Sequence, residues 1–221
     1  MVVGQPEFVE NPENRCPVIL LLDTSSSMSG LPLEALNDGL SAFKAAVIED
    51  EQAALRVDVA IVTFGPVQLI QDFVTIDQFM PPQLVANGLT PMGEAITYAL
   101  DLLEKRKTAY RDNGIQYYRP WVFLITDGAP NRDSPWQQAA QQIKTAEEQR
   151  KLSFFAVGVQ GADMETLRQI APADRPPLLL NGLDFRSMFQ WLSDSMVRVS
   201  SSTVGGEMVV LPPVGWGQIT T

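Results

Sequence analysis

Histidine is absent from the 221-residue chain. Ser-His-Asp and Cys-His catalysis, zinc centres with imidazole ligands and imidazole acid–base chemistry all need that side chain, so those classes are excluded. There is one cysteine, Cys16, which has no partner for an internal disulfide and so agrees with a reducing compartment. Its place before Pro17 at the start of an apolar run marks it as a small buried hydrophobe. Glycine-rich phosphate loops are missing as well, since neither Gly-x-x-x-x-Gly-Lys-Ser/Thr nor Gly-x-Gly-x-x-Gly follows the first apolar run. No segment approaches the ~20 uninterrupted apolar residues of a membrane span, and the N-terminus lacks the basic start and apolar centre of a signal peptide. The expected location is cytoplasmic.

Positive charge is scarce. Sixteen Lys and Arg stand against 26 Asp and Glu, a formal charge of −10. This balance opposes a nucleic-acid partner, whose affinity comes largely from Lys and Arg releasing counterions. The one dense basic stretch, Lys105-Arg106-Lys107 with Arg111, falls near the end of an expected helix, where cations complement the negative pole. Neither nucleic acid nor membrane is expected as a partner.

What is present suits an ordinary globular domain: 45% hydrophobic and 19% charged residues, in a chain long enough to bury the core of one α/β unit. Apolar or alternating runs predict six strands, at Val18–Leu22, Val57–Phe64, Val67–Val74, Trp121–Thr126, Phe154–Val159 and Leu178–Leu180. Helical patterns lie between most of them. Leu33, Leu36, Leu40, Phe43 and Val47 share one face, as do Ile96, Ala99, Leu100 and Leu103, with Pro32 and Pro91 just inside the helix starts. Further helices are expected over Ser134–Lys151, Asp163–Ile170 and a last segment through Phe185, Phe189 and Met196.

The alternation predicts a doubly wound, mostly parallel six-stranded sheet with helices on both faces and right-handed crossovers. The Gly65-Pro66 break is too short for a crossover, so the third strand is expected antiparallel at one edge. We expect an N-terminal extension over 1–15, the α/β domain over 16–200 and a Ser/Gly/Pro-containing tail over 201–221, the tail packed through Trp216 or free to meet a partner.

Asp23, Ser25 and Ser27 follow the run Val18-Ile19-Leu20-Leu21-Leu22 at alternate positions. A buried strand thus ends by delivering small oxygen ligands into one loop, at the strand end where open α/β sheets bind ligands. Thr90, in Gly88-Leu89-Thr90-Pro91-Met92-Gly93, and Asp127, closing Trp121–Thr126, could converge there. The five residues offer two carboxylates and three hydroxyls. Mg²⁺ takes about six oxygens at roughly 2.1 Å and usually keeps some waters. Each motif alone has a plain alternative, because Asp, Ser and Thr also cap helices. Asn131, Arg132, Asp133, Pro135 and Trp136 flank Asp127 and form either a rim for contacts or simply the start of the next helix.

On these residues the chain resembles a von Willebrand factor A domain, whose metal-ion-dependent adhesion site uses Asp-x-Ser-x-Ser, a loop threonine and a later aspartate. Here those positions read Asp23-Thr24-Ser25-Ser26-Ser27, Thr90 and Asp127, with Ser26 where a glycine is common. The likeness runs from about Cys16 to about Ser200. Arg15-Cys16-Pro17, Thr90-Pro91-Met92-Gly93, Tyr117-Tyr118-Arg119-Pro120-Trp121 and Phe154-Phe155-Ala156-Val157-Gly158-Val159 look like the bacterial tellurium-resistance-associated TerY branch.

The resemblance implies a Rossmann-like fold and a non-enzymatic interaction module. Such a module would hold Mg²⁺, or Mn²⁺ or Ca²⁺ in its place, and bind a partner protein's Asp or Glu. It also implies a bacterial stress- or tellurium-resistance setting alongside protein kinase or phosphatase components. Two alternatives stand beside it: a metal-dependent phosphoester hydrolase, and a structural domain with a vestigial loop. Against the first, Ser25 occupies the position where haloacid-dehalogenase-like enzymes carry a second aspartate.

Overall fold

Every residue of β1 (Cys16–Asp23) is buried, as a continuous apolar run predicts for a central strand covered on both faces. In this computed structural model, which describes residues 5–206 and 209–219, β1 pairs in parallel with β2 (Val57–Phe64) and β4 (Trp121–Thr126). The sheet continues through β5 (Ser153–Gly158) and β6 (Leu178–Leu180), both parallel, while β3 (Gln68–Thr75) returns antiparallel to β2. With β7 (Gly217–Ile219) at the far edge, strand order is β3-β2-β1-β4-β5-β6-β7. Chain order therefore reverses on either side of β1, which puts the switch-point crevice beyond the carboxyl ends of β1 and β4.

The seventh strand was not expected. β7 (Gly217–Ile219) pairs antiparallel with β6, so a second edge is also antiparallel, and it arises within the segment read as an irregular tail. The tail is fastened rather than free: Trp216 is buried, its ring lies 5.8 Å from that of Trp191, and Trp191 Nε1 donates to Pro212 O at 2.8 Å. A three-residue strand without clear alternation carries no periodic signal, which is why the pattern missed it. Parts of the expected extension and tail, at 1–4, 207–208 and 220–221, lie outside the described residues.

Side-chain alternation along β1 divides the core in two. Val18, Leu20 and Leu22 join the layer formed with α2 (Leu31–Val47) and α7 (Phe185–Ser200). Ile19 and Leu21 join the layer formed with α4 (Met92–Asp112), α5 (Trp136–Glu148) and α6 (Met164–Ile170). Each fully buried Leu, Ile or Phe contributes about 1.5–3 kcal/mol of transfer free energy. The α2–α7 contact depends on one missing side chain, since a Cβ on Gly39 would come within 2.6 Å of Phe189 Cδ2. Two short helices, α1 (Pro6–Glu10) and α3 (Glu51–Arg56), are too short to show a helical period in sequence. Among the described residues no helix is long and apolar enough to cross a membrane.

Cys16 is fully buried beside Met196, and burial pushes its thiol up to about 12, so it stays protonated as the sequence reading of a small hydrophobe requires. The basic stretch corrects a simpler expectation. Arg106 does more than complement a helix pole: it crosses to the fully buried Asp58 at 2.7 Å and to Glu7 of α1 at 2.7 Å, and Tyr110 also donates to Asp58. Phe8 of α1 packs edge-on against Tyr110, so the N-terminal segment closes the sheet end opposite the crevice.

Candidate metal site

Strand β1 delivers Asp23 to the crevice as a fully buried carboxylate whose two oxygens are both engaged. Oδ1 accepts from Ser25 N at 2.8 Å, and Oδ2 accepts from Thr126 Oγ1 at 2.5 Å. Burial raises the Asp23 carboxyl above its ordinary range, and the Thr126 and Ser25 hydrogen bonds oppose that rise without cancelling it. Ser25 is buried and Ser27 exposed, with hydroxyl oxygens 3.0 Å apart. Ser27 Oγ then donates to Asp127 Oδ1 at 2.8 Å, across the crevice from β4. Four of the five expected residues are thus joined by hydrogen bonds, the Ser25, Ser27 and Asp127 side chains through adjacent oxygens and Asp23 through the Ser25 backbone N–H.

Thr90 reaches the same loop cluster by its backbone. Thr90 N donates to Asn131 Oδ1 at 3.0 Å and Asn131 N donates to Thr90 O at 3.0 Å, tying the Thr90 loop to the segment after Asp127. A Cβ on Gly128, next to Asp127, would stand 3.8 Å from Thr90 Oγ1. The capping alternative does not hold for Thr90. The N-cap of α4 is Pro91, with no side-chain cap bond, and Gly93 N is instead satisfied by Ser134 Oγ at 2.8 Å. Ser134 also donates to Glu94 Oε2 at 2.6 Å, so the α4 start is capped from another segment. Asp133 and Ser134 accordingly do not cap α5, whose N-cap is Pro135. Arg132, Asp133 and Pro135 are exposed on the rim, while Trp136 is half-buried against the α4 layer.

The Asp23 loop has a backing that spacing alone does not reveal. Thr24 N donates to Phe64 O at 3.0 Å, Asn87 N donates to Thr24 O at 2.7 Å, and Ser26 N donates to Gly88 O at 3.1 Å. Ser26, in the position where a glycine is common, adds a second bond from its hydroxyl to Gly88 O at 3.1 Å. Gly65 lies directly behind: at φ +126°, a Cβ there would come within 2.7 Å of Ser25 N and Asn87 O. Thr126 was also missed, although its position beside Asp127 at a strand end is the kind of signal that finds such a residue.

Chemically, the arrangement is a set of hard oxygens. In an octahedral shell with metal–oxygen bonds of ~2.1 Å, neighbouring ligands stand about 3.0 Å apart. The Ser25–Ser27 and Ser27–Asp127 separations of 3.0 Å and 2.8 Å fall at that spacing. Among the described residues no group of three or more His, Cys, Asp and Glu side chains gathers, so the site's character comes from two carboxylates and neutral hydroxyls.

No curated protein sequence matches the chain. Solved structures do. Proximal thread matrix protein 1 from the mussel byssus, in a form with a zinc-occupied MIDAS motif, is 19% identical with a TM-score of 0.54, over 82% of this chain and 48% of that one. The chain therefore spans about half the length of the byssus protein. The vWF domain of the type V pili tip protein Mfa5 from Porphyromonas gingivalis is 10% identical with a TM-score of 0.63, over 87% of this chain and 98% of that one. Manganese-loaded TRAP protein from Plasmodium vivax is 16% identical with a TM-score of 0.52, over 79% and 72%. At these identities the likeness is one of fold. Membership rests on the sequence itself, because the model of the von Willebrand factor type A domain matches residues 18–190, from inside β1 into α7. With that match covering most of the chain, the chain belongs to the von Willebrand factor type A domain family.

Proposed function

We propose that the chain is a non-enzymatic binding module that holds one divalent cation with Asp23, Ser25, Ser27, Thr90 and Asp127 and uses it to capture a partner's carboxylate. The observation that carries this reading is the chain of hydrogen bonds from Asp23 through Ser25 and Ser27 to Asp127, with the Thr90 hydroxyl close to Gly128 and committed to no hydrogen bond among the described residues. Buried Asp23 and its neighbour Asp127 are carboxylates that a cation would neutralise. The hydroxyls bring no charge, so a bound cation keeps its attraction for an anionic oxygen from outside, and an Asp or Glu of the partner supplies one.

Mg²⁺ is the ion this donor set suits, and Mn²⁺ shares its hard-oxygen preference. The zinc-occupied motif of the byssus protein and the manganese-loaded TRAP protein support a divalent ion at this place in the fold. The motif likeness to the TerY branch supports a partner among kinase or phosphatase components in a bacterial tellurium- or stress-resistance system. Isothermal titration of the protein with Mg²⁺ and Mn²⁺ tests the metal half: saturable one-site binding is expected, and its loss in Asp23→Ala and Asp127→Ala. Affinity purification with and without EDTA tests the other half. A partner retained equally after chelation would remove the metal from the interface.

A further inference from the structure

A chain with few cations concentrates half of them in one concavity. A cavity of about 1550 Å³ opens at the amino ends of β4 and β5, bordered by Trp121 and Ser153, and eight of the sixteen Lys and Arg line it against four carboxylates. In a molecule of net charge −10 this is a local surplus of positive charge. It lies at the other end of β4 from Asp127, about 20 Å away along the strand.

Helix poles explain part of the clustering. Arg111 and Lys144 stand in or near the last turns of α4 and α5, where cations complement the C-terminal carbonyls. They do not explain Arg119 and Arg175, which belong to no helix. These two guanidinium groups meet on one buried carboxylate, Glu147, which also accepts from Phe154 N at 2.5 Å. Glu147 has 7% side-chain exposure, while Arg119 keeps 35% and Arg175 29%. Arg175 is further fixed over the Phe155 ring at 4.8 Å. One carboxylate shared by two guanidinium groups leaves one positive charge uncompensated, and that charge is held rigidly at the cavity wall. Arg111, Lys144, Arg150 and Lys151 add charges that make no ion pair among the described residues.

We propose that this cavity is a second binding site, independent of the metal site, that takes an acidic and partly apolar segment of a partner protein. Its volume exceeds the ~300–1,000 Å³ of usual small-ligand pockets. The cations come from several separate segments and do not converge on one point, and the backbone groups at the helix ends are carbonyls, not the N–H donors that grip a compact phosphate. Carboxylates spread along a peptide match that layout. Apolar residues between them match Trp121, Val199, Val204 and Leu211 in the lining. With the metal site emptied by chelation, the acidic remainder of the molecule disfavours such a segment elsewhere and so selects this face.

The test is fluorescence anisotropy with a labelled peptide of repeating Asp-Glu-Leu, run in EDTA beside its Asn-Gln-Leu counterpart and inorganic tripolyphosphate as competitor. The acidic peptide is expected to bind, the neutral one to bind at least about tenfold more weakly, and Asp23→Ala to match the wild type. Lys144→Glu with Arg150→Glu and Lys151→Glu is expected to weaken binding about tenfold or more, as is raised salt. Arg111→Glu, at an exposed position, gives a second variant, and thermal melts confirm that each is folded. Equal binding of both peptides, binding unaffected by charge reversal in folded variants, or a site taken by tripolyphosphate but not by the peptide would overturn the proposal. Loss of metal binding elsewhere would leave it standing.

Discussion

Ser27 Oγ donates a 2.8 Å hydrogen bond to Asp127 Oδ1, joining the loop after β1 to the loop after β4 across 100 residues of sequence. The bond is exposed, so its net contribution to folding lies near the low end of the ~0.5–1.5 kcal/mol typical of hydrogen bonds. Its importance is positional, because it holds a neutral and a charged oxygen at the separation of neighbouring metal ligands. Ser27→Ala is expected to lower Mn²⁺ affinity about tenfold or more, by ~1.4 kcal/mol, while shifting the melting temperature of the metal-free protein little. Paired titration calorimetry and thermal melts check this, and an unchanged affinity would remove Ser27 from the ligand set.

Asp23 gives the site a pH dependence of known sign. Its carboxyl is raised in the folded protein, chiefly by burial, so the folded chain holds that proton more tightly than the unfolded chain. Stability of the metal-free protein from this group is therefore greatest at low pH and is lost as pH rises through the raised value. Asp58 is also raised by burial and adds in the same direction. Cation binding needs the ionised form, so affinity should fall as pH drops through the same window, above the ordinary Asp value of about 3.9. Melts between about pH 4 and pH 7, with and without Mg²⁺, should show a metal-dependent stabilisation that grows with pH, and Asp23→Asn should abolish it.

Gly65 sets the limit on the loop that carries Asp23. It combines φ +126° with a site where a Cβ would come within 2.7 Å of Ser25 N and Asn87 O, both of them backbone atoms. Gly65→Ala is expected to cost about 1–3 kcal/mol and to displace Ser25, weakening cation binding together with stability. Gly30 is the control. It has φ +80° but open space around it, so Gly30→Ala carries only the backbone strain and should spare the site. Equal metal affinities in the two variants, by titration, would show that the loop tolerates the displacement.

The contrast between Gly65 and Ser25 also shows what a sequence can reveal. Asp23, Ser25 and Ser27 were legible because strand alternation and a short loop put their spacing on the page, and Thr90 and Asp127 because each sits at the edge of a periodic element. The central strands and long helices were legible for the same reason. The parts that Gly65, Asn87, Thr126 and Asn131 play were not, although Gly65 was read as a hairpin break and Asn131 as a rim candidate, since each acts through a contact with a distant segment that no period records. The Arg106 cluster was misread in the same way. A cation near a helix end is ambiguous until the buried Asp58 on a neighbouring strand comes into view.

That cluster yields the largest stability change. Asp58 is fully buried, and although Arg106 and Tyr110 both donate to its Oδ2, its Oδ1 has no hydrogen-bond partner. The pairing is therefore only partly satisfied, and the removal of Arg106 would leave a buried carboxylate with little compensation. Arg106→Ala is expected to cost about 3–5 kcal/mol, because an uncompensated buried charge is far more unfavourable than a missing pair. Tyr110→Phe keeps the ring that packs on Phe8 and loses one hydrogen bond, so about 1–2 kcal/mol is expected. Replacing both charges, as in Arg106→Met with Asp58→Leu, should recover part of the Arg106→Ala loss, since no buried charge remains, while the Tyr110 hydroxyl loses its acceptor. Urea titrations of the three variants decide the point. A double variant no more stable than Arg106→Ala would mean that the Arg106 side chain contributes mainly by packing between Phe8 and Phe73, whose rings its guanidinium overlies at 4.9 Å and 5.4 Å.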